Sequence, residues 1–261
     1  MPRLSANLTF LFGEHDFLDR FSAARAAGFR FVEFAWAYEY DPESLRRCLA
    51  DNGLNQVLIN LPAGDLAAGE LGLAAHPDRI DEFRQGVARA VEYARVLGIP
   101  AVNCLVGRRL ADVPYEDQRR VMVENLRFAA ARLAAADRIG LLEPINSLDI
   151  PGYLIDRSQD ALEIMDEVGA SNLKLQYDVY HMQRMEGNLV ETVRGCLTRI
   201  GHIQIADNPG RRHPGTGEIN FRFLMSELDR MEYSGFVGLE YFPVPDTLSS
   251  LAWIKEYRLT L

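Results

Sequence analysis

The chain of 261 residues is 48% apolar and 25% charged, with 20 Gly and 12 Pro, ordinary values for one globular domain with a sizeable core. Its formal net charge is −9 and its Lys and Arg are scattered in ones and twos, which excludes the basic footprint that nucleic acid or an anionic membrane would need. No apolar run approaches a membrane span and the opening MPRLSANLTFLFGEHDF lacks a signal-peptide pattern, so a cytoplasmic protein is expected.

The first strand is LSANLTFLF, followed by a helix over 15–27. FRFVEFAW then precedes a helix over 42–52. LNQVLINL leads through a long connection, 62–76, to a helix over 77–97, which starts on Pro77 and repeats Ile80, Phe83, Val87, Val91, Ala94 and Leu97 at helical spacing. IPAVNCLV precedes a helix over 115–138, LLEPIN one over 157–168, NLKLQYDV one over 188–199, HIQIAD one over 221–233, and FVGLEYF a last one over 247–258. Gly28, Gly53, Gly98, Gly140, Gly169, Gly201 and Gly235 each stand between a helix and the next strand, where a left-handed C-cap is expected. The apolar runs are short, as buried parallel strands are. Eight strands alternating with eight helices predict a single α/β domain over 1–261, a (β/α)8 TIM barrel. An open doubly wound sheet would carry a glycine-rich phosphate turn after its first strand, and FLFGEHDF has one glycine.

Barrels place their chemistry at the C-terminal ends of strands. The fifth to eighth strands end on Glu143, Asp178, Gln204 and Glu240, separated by 35, 26 and 36 positions, each near one βα repeat. These four side chains are expected to converge at the mouth. Carboxylates crowded together repel one another unless a cation neutralises them. A set of oxygen donors suits a hard divalent ion, Mg²⁺ or Mn²⁺, better than zinc.

EPIN ending the fifth strand, LQYDVYH in the sixth, HIQIADNPGR…PGTGEINF across the seventh and its loop, and GLEY on the eighth resemble the hydroxypyruvate isomerase family, within the xylose-isomerase-like barrels. The resemblance covers the whole chain. It implies that Glu143, Asp178, Gln204 and Glu240 bind a divalent metal, and that Glu143 and Glu240 also donate and accept the proton. The related ketose 3-epimerases carry His in place of Gln204, which favours the hydroxypyruvate isomerase branch. The same branch includes 2-oxo-tetronate isomerases with nearly the same signatures. The implied reaction, hydroxypyruvate to 2-hydroxy-3-oxopropanoate, needs a proton moved between adjacent carbons through an enediolate, for which two carboxylates and a Lewis-acid metal are suited.

A substrate carboxylate or other oxygen needs donors, and the candidates are His181 past the sixth strand, Arg108 and Arg109 in VGRRL, and Arg211, Arg212 and His213 in NPGRRHPGTGE. The family usually has a different residue at the position of His213. Glu33 follows Gly28 by five positions as Glu240 follows Gly235, so it faces the mouth or supports the residues that do. Either Asn103 or Cys104 points into the barrel, and Cys104 lacks a base to make it a nucleophile. Cys48, Cys104 and Cys196 are odd in number with no CxxC pair, which reads as free thiols in a reducing compartment. PGTGE lacks the glycines and Lys of a phosphate loop. Trp36 and Tyr38 are candidates for the pocket wall, and 62–76 for a lid. The expected partner is a small hydroxy-oxo acid, with homo-oligomerisation left open. A metal-dependent nuclease would need more His than the five here, and a non-catalytic sugar-acid binding barrel is the remaining alternative.

Overall fold

Strands this short are stable only when both faces are covered, and the computed structural model, which describes residues 2–261, shows them closed on themselves. The strands are β1 (Arg3–Asn7), β2 (Phe31–Glu33), β3 (Asn55–Gln56), β4 (Leu58–Asn60), β5 (Ala101–Asn103), β6 (Ile139–Leu142), β7 (Leu173–Asp178), β8 (Ile200–Ile205) and β9 (Phe236–Leu239). All pairings are parallel, in the order β3-β2-β1-β9-β8-β7-β6-β5-β4. β3 and β4 are two pieces of one strand position parted at Val57: β3 pairs β2 and β4 pairs β5, so the ring closes through residues 55–60. The nine segments thus fill the eight positions of the expected TIM barrel.

Around them lie α1 (Arg20–Ala26), α2 (Pro42–Asp51), α3 (Ile80–Leu97), α4 (Tyr115–Ala134), α5 (Ser158–Val168), α6 (Val179–Met185), α7 (Leu189–Cys196), α8 (Phe221–Arg230), α9 (Thr247–Ser250) and α10 (Ala252–Glu256). Local chemistry sets several ends: Asp41 accepts from the Ser44 N–H at 2.9 Å to start α2, with Pro42 in the first turn. Pro77 opens a 3-10 turn, Pro77–Arg79, rather than α3 itself. The last expected helix is broken into α9 and α10, and α6 was not anticipated. No helix among the described residues is long and apolar enough to cross a membrane.

Gly28, Gly53, Gly98 and Gly169 take the positive φ expected of C-caps, but Gly140, Gly201 and Gly235 do not. At the ends of α4 and α8 the left-handed positions fall to Asp137 (φ 57) and Glu232 (φ 55). Gly140 and Gly201 already lie in β6 and β8, where the reason for glycine is space. A Cβ on Gly201 would stand 2.7 Å from Leu141 Cδ2 and 2.8 Å from Lys174 Cβ.

The register places the chemistry. Asp178 at the end of β7 pairs with Gln204, and Gln204 with Gly238 of β9. Glu143 and Glu240 are the first residues beyond β6 and β9. Gly201→Ala is expected to cost about 1–3 kcal/mol through overpacking, measured by urea unfolding; parental stability would contradict this account of Gly201.

Candidate active site

Glu143, 5% exposed, accepts a hydrogen bond on Oε2 from Asn103 Nδ2 at 2.7 Å, from the end of the adjacent β5. Asp178 is divided between two tasks. Its Oδ1 caps α6, accepting from the N–H groups of Tyr180 and His181 at 2.7 and 3.3 Å, while its buried Oδ2 has no hydrogen-bond partner. Arg211 Nη2 donates to Glu240 Oε1 at 2.9 Å and lies 3.5 Å from Asp178 Oδ2. Glu143, Glu240, His181, Arg211, Asn60 and Trp36 line a cavity of about 180 Å³ at this end of the barrel.

With all three ionised, the carboxylates of buried Glu143 and Asp178 and of mostly buried Glu240 would leave two negative charges beyond the one guanidinium. Burial and the facing Asp178 carboxylate push Glu143 up to about 8, the Asn103 bond offsetting only part of this. Burial also raises Glu240 well above the ordinary carboxylate range, with Arg211 pulling the other way. Burial works against the Arg211 charge, but the carboxylates of Glu240, Asp178 and Glu143 prevail and raise it. His181 is brought down to about 4 by burial, so its imidazole is neutral at pH 7.

A dication would cancel the excess. One ligand atom each from Glu143, Asp178 and His181 lies within 4.8 Å of the others, a group that could hold a metal ion. The unpartnered Oδ2 of Asp178 is a ready donor, so the residues fit a divalent cation. Glu240 stands outside that trio, joined to Asp178 through Arg211. Gln204 is held from both sides: its Nε2 donates to Glu33 Oε1 at 2.8 Å and its Oε1 accepts from Gln176 Nε2 at 2.6 Å. A carbonyl oxygen has two lone pairs, so Oε1 keeps one free.

Glu33 supports the site rather than lining the cavity. It is fully buried and accepts from Ser5 Oγ at 2.7 Å and Asn7 Nδ2 at 3.1 Å besides Gln204, with His202 Nε2 2.9 Å from its Oε2. Burial alone would raise it; His202 and these donors outweigh that and hold it below the ordinary range. Gly238 makes the room, since a Cβ there would stand 2.3 Å from Glu33 Oε1.

Of the loop candidates, only Arg211 and His181 reach the cavity. His181 is not on a loop but in the first turn of α6, 2% exposed. Arg108 was expected to meet substrate; instead its guanidinium staples two loops, donating to the Gly69 and Pro151 carbonyls at 3.1 and 2.6 Å. Arg109 bonds Val113 O and Gln118 Oε1 at 2.9 and 2.8 Å, and His213 sits beside the Tyr241 ring. Asp207, overlooked in the sequence, folds the Arg211 loop: its buried carboxylate accepts from the N–H groups of Asn208, Gly215, Gly217 and Ile219 at 2.9, 2.9, 2.9 and 3.1 Å. The glycines of PGTGE serve this wrap, and a Cβ on Gly217 would stand 2.1 Å from Asn208 O. Trp36 walls the cavity, whereas Tyr38 bonds the Asn60 carbonyl at 2.6 Å from outside it. The 62–76 connection is tied down by a bridge between Gly72 and Val106, and its Leu71 reaches the cavity. Cys104 is wholly buried, its thiol pushed up to about 12 by burial, which suits packing.

A family model described as xylose isomerase-like TIM barrel matches residues 21–257. Hydroxypyruvate isomerase of Escherichia coli is 52% identical over 258 residues, 99% of this chain and 100% of the relative. The chain belongs to the hydroxypyruvate isomerase family of xylose isomerase-like barrels. It is 46% identical to 2-oxo-tetronate isomerase of Cupriavidus necator over 98% of this chain and 99% of that one. Both relatives are isomerases by name, and the chain is an isomerase of their family. A solved Brucella melitensis protein described as an AP endonuclease of family 2 superposes with a TM-score of 0.95 at 39% identity, covering 98% and 99% of the two chains. D-psicose 3-epimerase of Clostridium cellulolyticum, TM-score 0.76 at 19% identity over 93% and 85%, shares the fold.

Two outcomes follow. Because the folded-state pKa of Glu143 is raised, its contribution to stability is full below the ordinary carboxylate value of about 4.3 and is lost as pH rises towards about 8. The metal-free protein should therefore lose melting temperature across that window, and Glu143→Gln should flatten the slope; an equal slope in both would contradict the charge crowding. Glu33→Gln and Gly238→Ala, which both disturb the hold on Gln204, should each weaken Mn²⁺ binding about 10–100-fold by calorimetry; parental affinity in both would show that Gln204 does not depend on Glu33.

Proposed function

We propose that this isomerase converts hydroxypyruvate to 2-hydroxy-3-oxopropanoate (tartronate semialdehyde) by proton transfer through an enediolate. The carrying observation is the pair Glu143 and Glu240: two glutamates lining one small cavity, both raised above the ordinary carboxylate range by burial and by neighbouring carboxylates, Glu143 to about 8, which suits the pair to proton transfer. One glutamate takes a proton from C3, the hydroxyl proton moves from O3 to O2, and the other glutamate returns a proton to C2. Atoms balance without an external oxidant or reductant.

Glu143, Asp178, Gln204 and Glu240 would hold Mg²⁺ or Mn²⁺, all four donors being oxygens. When bound, such an ion supplies Lewis-acid stabilisation of the charge developing on the substrate's oxygens. Arg211, in the cavity wall, offers its guanidinium to the substrate carboxylate, and neutral His181 offers a hydrogen bond to a substrate oxygen. Trp36, Leu71, Leu105 and Ile150 shield the enediolate from water. The cavity, about 180 Å³, is below the ~300–1,000 Å³ typical of drug-sized ligands and suits a compound of few carbons.

A second reading, isomerisation of a 2-oxo-tetronate, is supported by the 46% identical Cupriavidus necator relative and uses the same residues on a substrate one carbon longer. A ketose 3-epimerase has only shared fold behind it. Phosphodiester hydrolysis finds no support in a site whose candidate ligand group has a single His, on a chain of net charge −9.

With Mg²⁺ or Mn²⁺ present, hydroxypyruvate should be consumed and its aldehyde isomer appear by NMR, with deuterium at C2 in D₂O. Loss of neither hydroxypyruvate nor a 2-oxo-tetronate, with metal bound, would overturn the proposal. Glu240→Gln and Glu143→Gln should each lower kcat by about 10²–10⁴-fold; solvent exchange of the carbon-bound proton at the parental rate in Glu240→Gln would exclude it from acid–base work.

A further inference from the structure

Asn146 stands three residues beyond Glu143 and is fully buried. The Asp149 backbone N–H donates to Asn146 Oδ1 at 2.8 Å, and Asn146 Nδ2 donates to Asp149 Oδ2 at 3.1 Å. A backbone N–H can only donate, so the orientation of the carboxamide is decided. Its Nδ2 therefore faces His181 Nδ1, at 2.6 Å. Asp149 is in turn held by the Tyr180 hydroxyl at 2.7 Å and by the Arg184 guanidinium. An amide NH₂ offers no lone pair, so His181 Nδ1 must be the acceptor and the neutral ring carries its proton on Nε2. Nε2 is the nitrogen that faces the carboxylate cluster, 3.6 Å from Asp178 Oδ2.

We propose that Asn146, backed by Asp149, is a positioning residue that fixes His181 as its Nε2–H tautomer, so that His181 meets the active site as a hydrogen-bond donor to substrate and not as a metal ligand. A protonated Nε2 has no lone pair for a cation. This removes the imidazole from the group formed with Glu143 and Asp178 and leaves oxygen donors, which disfavours zinc. The inference rests on the isomerase reading for the identity of the acceptor, but the tautomer itself does not require turnover.

The test is a long-range ¹H–¹⁵N correlation spectrum of protein labelled with ¹⁵N-histidine, with His181 assigned by the signals lost in His181→Gln. At pH 7 the wild-type ring should show a protonated Nε2 and an unprotonated Nδ1. Asn146→Asp, whose carboxylate accepts instead of donating, should reverse the pattern and, by freeing the Nε2 lone pair, raise Zn²⁺ affinity relative to Mn²⁺ about tenfold or more. A wild-type ring protonated on Nδ1 overturns the proposal whether or not the variant folds, and an unchanged pattern in folded Asn146→Asp overturns the role of Asn146. An Nε2–H ring in a metal-loaded protein that turns over neither hydroxypyruvate nor a 2-oxo-tetronate upholds the tautomer and refutes the isomerase reading.

Discussion

The site is governed by one electrostatic constraint: Glu143 and Asp178, both buried, and Glu240, mostly buried, stand at one end of the barrel with a single guanidinium, Arg211, among them. Charges out of water must be paired, and with all three carboxylates ionised the pairing would stop two short, so protons are held in their place. The neighbouring structure holds that imbalance in place. Asn103 bonds Glu143, the start of α6 occupies one oxygen of Asp178 and leaves the other without a hydrogen bond, 3.5 Å from the Arg211 guanidinium, and Asp207 gathers the loop that delivers Arg211.

A comparison within the same barrel shows that burial alone does not decide the state of a carboxylate. Glu33 is as buried as Glu143, yet it stays low because His202 stands 2.9 Å away and Gln204 and Ser5 donate to it. Glu143 has Asn103 on one side and the Asp178 carboxylate on the other, and rises to about 8. The first arrangement makes a rigid support for Gln204. The second makes a group suited to taking up a cation or a proton. The same logic extends to His181, whose environment settles which ring nitrogen meets the site.

Much of this was legible in the sequence because a barrel converts repeat spacing into angular position. Four polar residues at strand ends, one βα repeat apart, were expected at one rim; Glu143 and Glu240 line one cavity there, and Asp178 and Gln204 pair in direct register. Strand count and length fixed the barrel in the same way. Long-range contacts were less accessible. Gly140, Gly201 and Gly235 were read as helix caps because a local rule applied, whereas the structure needs them for close approach to Leu173, Leu141 and Tyr233. Arg108 looked like a substrate ligand because sequence shows which loop carries a charge, not which carbonyls it reaches. α6 was hidden because LQYDVYH continues the apolar run of its strand; Asp178, read only as a ligand, is also the residue that turns strand into helix. The role of Asn146 depended on an amide orientation that only the Asp149 contacts define.

The central claim is that the carboxylate cluster is completed by a divalent cation, and the most direct measurement is calorimetric titration of Mn²⁺ into metal-free protein at pH 7 in buffers of different ionisation enthalpy. With Glu143 and Glu240 raised out of the ordinary carboxylate range, binding of one ion per chain should release protons, and Glu143→Gln should release fewer. Binding without proton release, or no binding at all, would contradict the account.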